Sequence, residues 1–249
     1  MSGPEVARRV IAIVDLATVS AAGYSALATV ERALDAGARV LLLRGKDATS
    51  PMIAEAALLA IASAIEAAGG TLLLHGDTPW CPPLPDVFGY HYGAGRLWSD
   101  LAPPLGPVAR RSADHTAQVH DAEVFVARGN QEATRPPLFG FSCHSSEELQ
   151  RAALGGAAWA TLSPFSLTAS KPGYGPALGV EGLRKLALGC TVPIFALAGV
   201  SALNVRGIGE AGAAGVALMG MLSASDLRTP LQALFQRLEE ELWLVHPPW

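Results

Sequence analysis

The feature that most constrains this chain is an eightfold alternation. A short, near-continuous apolar run is followed by a Gly or polar turn and then, in most cases, by an Ala/Leu-rich stretch with helical spacing. The runs are Val10–Asp15, Ala38–Arg44, Thr71–His75, Val87–Gly93, Leu138–Ser142, Ala158–Ser163, Pro193–Ala198 and Gly215–Met219. Runs without polar alternation suit strands covered on both faces, as in parallel sheets. Helical patterns follow at Ala21–Ala36, Pro51–Ala68, Ser146–Leu154, Val180–Leu188, Ala202–Ala211 and Pro230–Leu242. Strands alternating with helices imply a parallel sheet, and eight of them suggest closure. The predicted fold class is therefore α/β, a single (β/α)8 TIM barrel filling residues 1–249. An open doubly wound sheet is the alternative that the same pattern allows. The 249 residues match the usual size of one barrel.

Residues 94–137 break the rhythm with PPLGP, a His/Asp-rich piece and Arg-Pro-Pro. They read as an insertion or elaborated connection between the fourth and fifth strands. A surface loop is the plainer reading, and a lid or dimer contact the sharper one. The aromatic, Pro-ended tail Trp243–Trp249 keeps a homodimer open as a partner expectation.

Composition removes several function classes. A net charge of −4 leaves no basic footprint, so nucleic acid is not expected as a partner. Cys81, Cys143 and Cys190 are an odd set without CxxC spacing, against a disulfide framework or structural zinc. No apolar stretch of about 18 residues lacks polar breaks, and the N-terminus lacks a signal-peptide pattern. No membrane span, no structural zinc and a cytoplasmic location are the resulting expectations.

In a barrel the chemistry sits where strands end. The second strand ends Leu42-Leu43-Arg44-Gly45-Lys46, with Leu42, Arg44 and Lys46 on one face. Two cations there suit an anionic ligand, although a surface ion pair would also explain them. The sixth strand opens into Ser163–Gly179, a Gly/Pro-rich loop with hydroxyls, among them Thr168, and Lys171. Such a loop can fold over a phosphate with Lys171 as a point charge, or simply carry a solvated lysine. Gly199 and Gly220 close the seventh and eighth strands, where barrels often bind phosphate through main-chain N–H groups. In Gly140-Phe141-Ser142-Cys143-His144, Ser142 and His144 share a face and Cys143 points away. His144 is a candidate general acid/base, because an imidazole titrates near neutral pH. A structural histidine at the start of the next helix is an equal alternative on these residues alone.

The chain resembles the thiamine phosphate synthase/TenI family. The segment Gly140–Ser145 with Glu147-Glu148, the loop Ser163–Gly179 with its Pro176–Gly179 ending, and Ala196–Val200 match in order and spacing. Leu43–Asp47 and Gly89-Tyr90-His91-Tyr92-Gly93 resemble two further motifs. The resemblance implies a small phosphorylated heterocyclic substrate and substrate or phosphate binding by Arg44, Lys46, Ser142, Thr168, Lys171, Gly199 and Gly220, with Arg44 or Lys46 facing a carboxylate. The synthase couples a pyrimidine diphosphate to a thiazole phosphate with magnesium. Its third strand normally ends Asn-Asp, where this chain has His75 and Gly76, with Asp77 one place later. Its second ligand Asp falls at Arg96, or at Gly95 one place earlier, and its second-strand Gln at Leu42. Magnesium wants carboxylate oxygens, which a guanidinium cannot replace. TenI-type tautomerases instead move a proton on the thiazole carboxylate phosphate without a metal. Their catalytic histidine falls at His144, with His75 and His91 as secondary candidates. The expected function is thus a metal-independent thiazole tautomerase without cofactor. A synthase with an altered magnesium site, a non-catalytic phosphate-ligand-binding barrel and an enzyme acting on another phosphorylated substrate are the alternatives.

Overall fold

A computed structural model describes residues 4–45, 53–76, 88–94, 138–168 and 175–241. Its strands are β1 (Val10–Asp15), β2 (Val40–Arg44), β3 (Thr71–His75), β4 (Gly89–Tyr92), β5 (Leu138–Cys143), β6 (Trp159–Leu162), β7 (Ile194–Leu197) and β8 (Gly215–Leu218). They close in sequence order into an all-parallel barrel, with β8 paired back onto β1. The helices are α1 (Pro4–Ala7), α2 (Leu16–Ala21), α3 (Ala26–Asp35), α4 (Glu55–Ala67), α5 (Ser146–Leu154), α6 (Gly179–Ala187), α7 (Val205–Glu210) and α8 (Arg228–Glu240).

The sequence expectation of one helix over Ala21–Ala36 is corrected here. Asp15 caps the short α2 by accepting from the Thr18 amide, and Gly23 then takes a φ of 83° that ends it. Ser25 accepts from the Ala28 amide and starts α3 afresh. Such side-chain caps satisfy amides that the first helical turn leaves without partners. Ser145 does the same for α5 through the Glu148 amide, with Glu147 and Glu148 in the first turn.

Side chains alternate across every strand. One set, including Val10, Ala12, Val14, Leu41, Leu43, Leu74 and Cys143, faces the helices. The other, including Ile11, Ile13, Val40, Leu42, Leu73, Trp159 and Phe195, fills the barrel interior. Two large interior rings need empty space opposite them. A Cβ on Gly140 would lie 2.1 Å from Trp159 Cε2, and one on Gly89 would lie 3.0 Å from Trp159 Cη2. A Cβ on Gly215 would lie 2.7 Å from Phe195 Cε1 and 2.2 Å from the Arg9 carbonyl oxygen. The glycines that open the Gly140 and Gly89 motifs are thus set by packing: they leave room for one tryptophan. The expected insertion at 94–137 lies, beyond Ala94, outside the described residues, as does the tail after Glu241.

Candidate functional site

A cavity of about 520 Å³ opens at the C-terminal ends of the strands. That volume lies in the range of small-molecule sites. Arg44, His75, His91, Ser142, His144, Thr168, Gly199 and Gly220 all line it. Lys46 and Lys171 lie outside the described residues, as do Asp77, Gly95 and Arg96. The period-two alternation explains the gathering: residues 142 and 144 of one strand exit share a side, while Cys143 packs outward against the helices. Burial pushes the Cys143 thiol up to about 12, which keeps it protonated and unreactive.

Arg44 is held rather than loose. Its Nη1 donates to Asp15 Oδ2 at 2.8 Å, and the same nitrogen lies 3.4 Å from Met219 Sδ. Asp15 Oδ1 accepts from the Thr18 amide at 3.0 Å and from its hydroxyl at 2.7 Å. The carboxylate that caps α2 therefore also aims the guanidinium at the cavity.

His144 is anchored at both ends of the residue. Its main-chain N–H donates to the Glu148 carboxylate. Its Nδ1 lies 2.8 Å from the Ser163 carbonyl oxygen and 3.2 Å from Ser163 Oγ. A carbonyl oxygen can only accept, so Nδ1 carries the proton. The lone pair of the neutral ring is then on Nε2.

His91 is of the opposite kind. It is fully enclosed, stacked on Trp159 with ring centroids 6.1 Å apart, and accepts from the Trp159 indole N–H at 3.1 Å. Burial, then the neighbouring His75 and Arg44, lower its pKa to about 3, so it stays neutral. His75 sits beside it, paired across β3 and β4.

The ends of β6 and β7 form one wall. The Phe165 and Ser166 amides donate to the carbonyls of Leu197 and Ala198 at 2.9 and 3.0 Å. Ala198 and Gly199 both have positive φ, 79° and 66°, and a Cβ on Gly199 would lie 2.5 Å from Ser166 Cβ. Only glycine meets both demands at 199. Gly220 opens a short 3-10 turn, Gly220–Ser223, directly after β8.

Thr161 and Ser163 were missed by the sequence reading, although both share the inward face of Trp159 at two-residue steps. The carboxylates that magnesium needs are not gathered among the described residues. They include no group of three or more His, Cys, Asp or Glu side chains placed to hold a metal. At Gly76 a Cβ would lie 2.1 to 2.5 Å from three carbons of the Tyr92 ring, so no side chain fits there beside that tyrosine.

Residues 115–222 match the model of the TMP-TENI family, described as thiamine monophosphate synthase. The chain is 30% identical over 129 residues to a thiamine-phosphate synthase of Methanoregula boonei, covering 49% of this chain and 59% of that one. It is 26% identical over 210 residues to a thiamine-phosphate synthase of Roseiflexus castenholzii, covering 82% and 78%. The first-mentioned kind of match spans about half the length of the curated relatives. A solved thiamine phosphate pyrophosphorylase from Pyrococcus furiosus superposes with a TM-score of 0.62 at 17% identity, over 94% of this chain and 98% of that one. Among the described residues, no helix is long and apolar enough to cross a membrane.

Proposed function

We propose that this chain, which belongs to the thiamine phosphate synthase/TenI family, binds a phosphorylated heterocycle at the barrel mouth and moves a proton on it through His144. The observation that carries the reading is the Nδ1 contact of His144 to the Ser163 carbonyl, which leaves the lone pair on Nε2. His144 also lines the cavity. A base held in one tautomer can take a proton from one ring-system carbon and return it to another. One C–H bond breaks, one forms, and the gain is an aromatic ring. Arg44, aimed by Asp15, offers a fixed cation to a carboxylate of the substrate. Gly199 and Gly220, with Thr168 and the two lysines of the sequence motifs, supply the phosphate side. No step in this reading uses a metal.

A second reading has a specific observation in its favour. The Methanoregula boonei and Roseiflexus castenholzii relatives carry the synthase name. That supports coupling of a pyrimidine diphosphate to a thiazole phosphate better than it supports tautomerisation. The space at Gly76 weighs the other way, because the Tyr92 ring occupies the place a carboxylate side chain would need.

A paired assay separates the two. One reaction contains the thiazole carboxylate phosphate tautomer with EDTA. The other adds the pyrimidine diphosphate and Mg²⁺. Conversion in EDTA that is lost in His144→Ala supports proton transfer. Product formed only with Mg²⁺ establishes the synthase and removes the first reading. Silence in both leaves a ligand-binding barrel or another phosphorylated substrate.

A further inference from the structure

The inner end of the cavity holds a hydrogen-bond relay whose direction follows from elementary chemistry. An indole N–H can only donate. Trp159 Nε1 lies 3.1 Å from His91 Nδ1, so Nδ1 accepts and the one proton of the neutral imidazole is on Nε2. That nitrogen lies 3.1 Å from Ser142 Oγ and 3.3 Å from Thr161 Oγ1. A protonated Nε2 has no lone pair to offer, so both hydroxyls accept from it and neither donates to it. Ser142 and Thr161 sit opposite one another on β5 and β6, and both line the cavity. Among the described residues His91 is the partner of both hydroxyls, so their own protons remain for whatever enters.

We infer that Ser142 and Thr161 form a donor pair that selects, at the inner end of the cavity, an uncharged ring or carbonyl group presenting a hydrogen-bond acceptor, with His91 as the positioning residue that keeps them donors. The inference rests on the barrel mouth being the ligand site. A group that could only donate would leave two hydroxyl protons unsatisfied in an enclosed place, which is costly. A charge is disfavoured there too. No carboxylate is among the described lining residues to meet a cation, and the neutral His91 behind the pair offers an anion no countercharge. Trp159 contributes twice, filling the interior layer and fixing the His91 tautomer.

The test uses two probes that differ by one ring atom: 4-methylthiazole, with an acceptor nitrogen, and 3-methylthiophene, with CH in its place. Affinities come from NMR titration of the full chain. 4-Methylthiazole is expected to bind roughly fivefold or more tightly, the worth of one net hydrogen bond. The ratio is expected to fall to about one in Ser142→Ala/Thr161→Val, with 3-methylthiophene binding retained. Nitrogen-15 spectra of the wild-type histidines supply a check that needs no variant, showing His91 protonated at Nε2. In Trp159→Phe the ratio is expected to shrink as the tautomer is released. Equal affinities in the wild type, no saturable binding of either probe, or His91 protonated at Nδ1 overturns the inference. Turnover that depends on His144 without any probe preference sinks the donor pair alone. A probe preference without turnover sinks the proton-transfer reading alone.

Discussion

The Nδ1 of His144 lies 2.8 Å from the main-chain oxygen of Ser163, a contact that spans 19 residues and ties the end of β5 to the end of β6. Because the acceptor is backbone, no substitution at 163 removes it directly, and the tautomer is a property of the barrel. His144→Gln keeps a hydrogen-bonding side chain but has no basic nitrogen. Proton-transfer rate is expected to fall about 10²- to 10⁴-fold, the usual worth of a positioned acid/base group. Thermal unfolding is expected to stay close to wild type. Retained turnover in His144→Gln would remove the histidine from the chemistry.

The Asp15–Arg44 pair links a helix cap to the cavity. Asp15→Ala is expected to cost roughly 2–3 kcal/mol, of which ~1 is the lost cap and the rest the guanidinium left without its carboxylate. Asp15→Asn keeps a capping oxygen and is expected to cost less. Urea midpoints of the two variants report the difference. If Asn and Ala are equally destabilising, charge pairing is the larger share of the effect.

Gly76 and Tyr92 compete for one space. Gly76→Ala is expected to destabilise by about 1–3 kcal/mol, as overpacking does. Since the obstructing atoms belong to the Tyr92 ring, Tyr92→Ala should relieve the clash, and the double variant should be more stable than the sum of the single effects predicts. Additive effects would show that the ring is not what forbids a side chain at 76. The same cycle with Gly76→Asp asks whether a carboxylate there brings Mg²⁺ binding with it.

Much of this was legible in the residues. All eight strands were readable because buried parallel strands are almost uninterrupted apolar runs, and the ends were off by one or two residues, as at Ala38 against Val40. The helix expected over Ala21–Ala36 was misread because Ala-rich composition hides the break at Gly23, whose positive φ is a backbone property. The gathering of Arg44, Ser142 and His144 followed from period-two alternation at known strand ends. Thr161 was equally accessible to that rule but carried no motif to draw the eye, and Ser163 was read only as the first residue of its loop. The roles of Asp15 as aimer of Arg44, of Trp159 as setter of the His91 tautomer, and of Tyr92 as occupant of the space at Gly76 were not legible. Each depends on a side-chain contact between different strands, which sequence spacing does not reveal.

His91 makes stability depend on pH in a definite direction. Its folded pKa is about 3 against 6.5 for an ordinary histidine, chiefly because it is buried. Below 6.5 the unfolded chain takes up a proton that the folded chain refuses, so the unfolded state is favoured as pH falls. The contribution is whole above about pH 6.5, declines through the window between 6.5 and 3, and levels off below that. The slope within the window approaches roughly 1 kcal/mol per pH unit from this residue. His91→Gln removes the titrating group and keeps a polar side chain. Its stability at neutral pH is expected to be lower, since the contacts to Trp159, Ser142 and Thr161 change, but its pH profile between 6 and 4 should be flatter by that slope. Urea midpoints measured across the window for both proteins decide it. Parallel profiles would mean that His91 is protonated in the folded chain, and the tautomer assigned to it from Trp159 would fall with that result.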